Sequence, residues 1–199
     1  MSDPAMTKPE RDTARRLALY DEILDSLASK LDELPSGQIA DRYHRSLTSA
    51  LALMAGERKA MVALFAAALA DDAPFDLLRG ERAARLTRAY HRLVQRSDDA
   101  LREPKALELG IALHTFHMLI VLFWLYDRSP KQESTGKLLN LTRDLFKLLR
   151  PMFFLPMVPQ GIAKLAEIVS PELKRESERA TAQEDPRDSE HQDFNIHRD

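Results

Sequence analysis

A chain of 199 residues with 44% hydrophobic and 30% charged residues has the make-up of a soluble globular protein, one ordinary domain plus tails. The absence of cysteine excludes disulfide scaffolds, thiolate zinc sites and cysteine nucleophiles together. The formal net charge of -2 is uneven: Ser170 to Asp199 holds nine acidic and five basic residues, which leaves +2 for everything before it. Six glycines and long runs without glycine or proline predict a helical body with no strand.

Met1 to Asp12 carries Lys8, Glu10, Arg11 and Asp12 in place of the apolar core of a secretory signal, so residues 1–12 are expected to be a flexible cytoplasmic lead-in. Leu17, Tyr20, Leu24, Leu27, Leu31 and Leu34 then recur at alternating spacings of three and four, which predicts an amphipathic helix ending at Pro35-Ser36-Gly37. A second helix is expected from Gln38 to Ala55 with Ile39, Tyr43, Leu47, Leu51 and Met54 inward, and Gly56 stands where a C-cap glycine belongs. A third, Glu57 to Leu69, turns Met61, Leu64, Phe65 and Leu69 inward and is broken by Asp71-Asp72-Ala73-Pro74.

Leu77 to Gln95 predicts a fourth helix, with Ala83, Leu86, Tyr90, Leu93 and Val94 on one side and Arg82, Arg85, Arg88, Arg92 and Arg96 on the other. Such an arginine face can attract phosphate or an acidic partner, but it lacks interleaved aromatics and glycine-rich loops and reads first as a solvated face. The fifth helix, Pro104 to Tyr126, is apolar on every face at its end, which predicts burial on all sides. Glu108, Gly110, His114 and His117 interrupt it, so its apolar run is too short for the roughly 20 residues of a membrane span. Asp127-Arg128-Ser129-Pro130 separates it from a sixth helix, Lys137 to Leu149. Pro151, Pro156 and Pro159 make residues 152–158 an expected extended apolar strap, Gly161 to Val169 a last short helix, and residues 170–199 a disordered charged tail with too few apolar groups to order it.

His114 and His117, three apart, could share a metal ion, but no acidic or cysteine ligand stands at a matching position, and hydrogen-bonded core or pocket histidines are the favoured reading. Met54, Met61, Phe65, Tyr90, Leu113, Phe116 and His117 come from several helices and are what would line an adaptable apolar pocket, with His117 as its polar contact; ordinary core packing is the plain alternative. No phosphate-binding glycine loop, G-x-S-x-G, H-E-x-x-H or dinucleotide fingerprint is present, so neither an enzyme nor a cofactor is expected. The paired acids Asp71-Asp72 and Asp98-Asp99 sit beside helix ends, where acids cap or stay solvated.

Ala18-Leu19-Tyr20-Asp21-Glu22-Ile23-Leu24-Asp25, His114 to Ser129 with its W-L-Y-D-R-S turn, and Asp144-Leu145-Phe146-Lys147-Leu148-Leu149 together resemble the C-terminal domain of tetracycline-repressor-like (TetR family) regulators. The resemblance covers Thr13 to Leu149, within an expected helical domain of residues 13–169, and rests on apolar spacing. It implies an all-α bundle and a homodimer held by a four-helix bundle, with Leu119, Phe123, Leu138, Leu141, Leu145 and Leu148 at the interface. It also implies a cavity in each subunit for a small hydrophobic effector. The family's DNA-reading head needs about 45 to 50 residues, and here twelve precede the first helix. Ser36 to Arg42 is no substitute, because Arg45 and Ser46 stand where the turn needs glycine. DNA is therefore expected only through a helix-turn-helix absent from this chain. A stand-alone helical adaptor is the alternative, and a metal-dependent enzyme using His114 and His117 the third reading.

Overall fold

The computed structural model describes residues 7–69, 77 and 80–151, and these are all-helical, with no strand among them. The Asp71–Pro74 break, the apolar strap, the last short helix and the charged tail lie outside the described residues. The helices are α1 (Lys8–Asp32), α2 (Ile39–Ala55), α3 (Arg58–Ala68), α4 (Gly80–Gln95), α5 (Lys105–Tyr126) and α6 (Glu133–Leu149), with a single 3-10 turn at Pro130–Gln132 before α6.

Two boundaries differ from expectation because capping groups act before the apolar pattern begins. α1 starts at Lys8, inside the expected lead-in: the Glu10 carboxylate accepts from the Thr7 N–H at 2.6 Å and from its hydroxyl at 2.8 Å, closing a capping box. α6 starts at Glu133, four residues before Lys137, because the Asp127 carboxylate accepts from Thr135 N–H at 2.9 Å and its hydroxyl at 2.7 Å, while Ser129 Oγ accepts from Ser134 N–H. At the end of α2, Gly56 keeps right-handed angles (φ -66°, ψ -26°), so it does not use the left-handed freedom expected of a cap glycine.

One continuous core runs through the body. Tyr43 of α2 is its hub: fully buried, it sets its ring against Tyr90 of α4 (5.5 Å between centroids) and Phe146 of α6 (5.4 Å), and its hydroxyl donates to the Leu113 carbonyl of α5 at 2.9 Å. Four helices are thereby fixed to one side chain, with edge-on aromatic geometry.

The arginine face of α4 stays partly in water but is paired with acids. Arg82 forks onto Asp21 of α1 at 2.9 and 2.7 Å, Arg85 reaches both Asp21 and Asp25, and Arg92 and Arg96 share Asp32, while Arg88 turns to Glu81 on its own helix. Numbers rise together along both chains, so α1 and α4 run parallel with their charges zipped. Exposed pairs of this kind contribute roughly 0–1 kcal/mol each, so the ladder sets register more than stability. Arg42, buried beneath it, donates to the Arg96 carbonyl at the end of α4.

α4 and α5 make the closest helix crossing. A Cβ added to Gly110 of α5 would stand 2.9 Å from both the Cα and the N of His91, which are backbone and cannot rotate away. Gly110→Ala is therefore expected to push the helices apart and cost about 1–3 kcal/mol, read as a lower denaturation midpoint at unchanged m-value.

α5 is the described helix long and apolar enough for a bilayer span, and 61% of its apolar window is buried against the other helices, the pattern of a core helix. Its burial is nonetheless incomplete, which corrects the expectation of burial on all sides. Phe116, Leu119, Phe123 and Tyr126 face outward, at spacings of three, four and three.

Candidate functional site

Three features of the body carry candidate chemistry: a buried polar ladder between α4 and α5, an outward apolar face on α5 and α6, and a groove at the α5–α6 turn.

In the ladder, successive pairs one turn apart face each other across the helix crossing. Thr87 Oγ1 lies 2.9 Å from His114 Nδ1, and the Tyr90 hydroxyl 2.8 Å from His117 Nδ1, with Ser46 Oγ 3.4 Å beyond the tyrosine. Both imidazoles are buried, and desolvation holds them neutral: His114 is pushed down to about 4 and His117 to about 3, the latter also by its histidine neighbour. Burial pushes the Tyr20, Tyr43 and Tyr90 phenols up. Among the described residues, His114 Nε2 has no hydrogen-bond partner. Each histidine spends its Nδ1 on a different hydroxyl, and among the described residues no three His, Asp or Glu side chains converge on a metal-sized site.

The expected pocket residues separate into parts. Tyr90 and His117 meet directly, and Leu113 joins them through Tyr43. Met54, Met61 and Phe65 are buried in the same core, with Phe65 set edge-on to Tyr20 at 5.9 Å. Phe116 stands apart: it is 38% exposed and packs edge-on against Phe146 at 6.0 Å. Three surface grooves among the described residues, two beside Arg58 and one along α1 at Arg15, Leu19 and Glu22, are lined by none of the seven.

Of the expected interface residues, Leu119, Phe123, Leu141, Leu145 and Leu148 are exposed, Leu148 to 72%, and Leu138 is partly buried against the core. On α6 the exposed leucines repeat at spacings of four and three, matching the stripe of α5, while Phe116 packs edge-on against Phe146 on the inner side of α6. Body-facing Thr135, Leu139, Thr142 and Phe146 occupy the opposite side of α6. The helix therefore has two apolar faces, and among the described residues the body covers one.

The third feature was not legible in the sequence. Arg58, the first residue of α3, donates from Nη2 to the carbonyls of Trp124 (2.9 Å), Leu125 (3.1 Å) and Asp127 (2.8 Å), with its guanidinium 5.4 Å above the Trp124 ring. A cation thus closes the carbonyl end of α5, where the helix dipole favours it. Trp124 Nε1 in turn donates to Gln132 Oε1 at 2.9 Å. Asp127, whose carboxyl is held well below the usual range by its bonds from Ser129 and Thr135, locks the rest of the turn. Arg58→Ala is expected to cost about 2–3 kcal/mol, through carbonyls left without a charged donor, and to raise amide exchange in the 124–132 turn first. Two hollows of about 700 Å³ each flank Arg58, one beside the α2–α3 junction and one beside the turn.

Comparison with protein-family models, with curated proteins and with solved structures finds no match to this chain.

Proposed function

We propose that this chain is the effector-sensing and dimerisation domain of a TetR-like transcriptional regulator, working in the cytoplasm as a homodimer. The observation that carries the reading is the double apolar stripe, Phe116, Leu119, Phe123 and Tyr126 on α5 with Leu141, Leu145 and Leu148 on α6. Seven large apolar side chains exposed in two helical stripes differ from singly scattered surface hydrophobes and suit an interaction surface. Spacings of three and four on two adjacent helices suit a four-helix bundle made with the same two helices of a second copy, a two-fold arrangement in which each residue acts twice.

The sensing half of the proposal rests on the ladder. Tyr90 and His117 form a buried polar point within soft apolar surroundings that include Met54 and Met61, the make-up of a site for a small hydrophobic molecule with one polar group. Because these residues pack against one another, an effector would select a loosened arrangement of the α4–α5 pair, and it would act only by preferring that arrangement. Reading DNA falls to a separate head in this scheme.

Sedimentation equilibrium on the purified protein tests the proposal. A dimer at micromolar concentration is the expected result, and a monomer at tens of micromolar would transfer support to the helical adaptor that holds a different protein on the same stripe. On the arginine face, Arg82, Arg85, Arg92 and Arg96 already pair with Asp21, Asp25 and Asp32, so an adaptor using that face would have to exchange those ion pairs for its partner's acids.

A further inference from the structure

We infer that the groove around Arg58 is a binding site for a single-chain apolar molecule with an anionic end, a site separate from the proposed effector pocket and adjoining the dimer stripe at Tyr126. The two hollows share Arg58, Val62 and Leu125, so they form one continuous trough with an apolar floor. Each is the size of an ordinary small-molecule site. Cations dominate the rim: Lys59 stands on the α3 side, Arg128 and Lys131 on the turn side, and none of the three has an ion pair among the described residues. Of the two acids on the wall, Asp127 already accepts three hydrogen bonds from Ser129 and Thr135, which leaves Glu57 as the one uncommitted negative group.

The backbone adds a second, independent sign. Lys131 and Gln132 adopt left-handed angles in succession, φ 51° and 59°, the only non-glycine residues with positive φ among those described. Such strain costs on the order of 1–3 kcal/mol per residue and concentrates at ligand clamps. Here it is held by the Trp124–Gln132 bond, and it places Lys131 on the lip of the trough. An alkyl chain would lie on Val62 and Leu125 while its charged end meets Lys59, Arg128 or Lys131. Arg58 would shape the floor and remain bonded to its carbonyls.

The chain's single tryptophan, Trp124, lies beneath Arg58 and makes the site observable. Titration of the full chain with decanoate below its micellar concentration is expected to give a saturable change in tryptophan fluorescence, with matching heat by calorimetry. Decanol and decyltrimethylammonium should bind at least tenfold more weakly. The double variant Lys59→Glu, Arg128→Glu, which leaves Arg58 and Trp124 in place, should weaken decanoate at least tenfold at unchanged circular dichroism. No saturable decanoate binding, equal binding of decanol, or full binding by the correctly folded double variant would each overturn the inference. Sedimentation equilibrium on the double variant, which keeps Tyr126 and the stripe leucines, reads self-association separately, so failure of the groove and failure of the dimer are distinguishable.

Discussion

In the proposed homodimer, Leu119→Glu with Leu141→Glu is expected to separate the two copies, weakening self-association by at least a thousandfold while leaving each chain folded. The two side chains are 56% and 64% exposed within the single chain, so the body does not depend on them for packing. Burying a leucine is worth about 1.5–3 kcal/mol, and two-fold pairing counts each substitution twice, so four leucine burials disappear at once. Four carboxylates would also have to leave water, which makes the loss larger. Sedimentation equilibrium reads the association constant and thermal circular dichroism reads the fold. A double variant that dimerises as well as the parent would place the interface elsewhere, and a variant that unfolds would assign the two leucines to the body. Exchanging an exposed control residue on α1, Glu22→Lys, is expected to change neither reading.

How much of this was legible beforehand depends on whether the deciding partner is near in sequence. The buried face of α1, with Tyr20, Leu24, Leu27 and Leu31, and the inward face of α4, with Ala83, Leu86, Tyr90, Leu93 and Val94, were readable because a polar side alternates with an apolar one at helical spacing. α5 lacks that alternation. Its residues are apolar all round, and periodicity cannot separate the side that meets α4 from the side that carries Leu119 and Phe123. The same limit applies to charge. Arg82 and Arg85 find their acids some 60 positions away on α1, so a stripe that is solvated in the local pattern is paired in the fold. Thr7 and Glu10, by contrast, carry the capping-box spacing openly, and the early start of α1 could have been read from it. Arg58 had no local signal at all, because its three acceptors are carbonyls of another helix. The candidate pocket was legible in part: the spacing of His114 and His117 marked a polar feature, and Thr87 and Tyr90, at the same spacing on α4, are what turn it into a ladder.

That ladder makes stability depend on pH, and the sign follows from protons bound. An unfolded histidine takes up a proton near 6.5, whereas folded His114 resists until about 4 and His117 until about 3. Between those limits the unfolded chain binds more protons than the folded one, so stability is complete above neutral pH and falls as the pH drops below 6.5. From pH 7.5 to 4.5 the two residues together remove as much as about 5 kcal/mol, comparable with the whole stability of a small domain. Partly exposed His44, lowered by desolvation and by Arg143, adds to the fall. Asp127 acts at lower pH, because a carboxyl held below the ordinary aspartate value of 3.8 gives up its contribution only beneath that pH. Urea unfolding at half-unit steps from pH 7.5 to 4.5 measures the slope. In the variant carrying His114→Gln and His117→Gln, whose amides can still bond to the Thr87 and Tyr90 hydroxyls and cannot titrate, stability at pH 7.5 should fall by about 1–3 kcal/mol and the slope should flatten. An equally steep slope in that variant would show that the destabilising protons bind elsewhere, and that the ladder is not the acid-sensitive element of this fold.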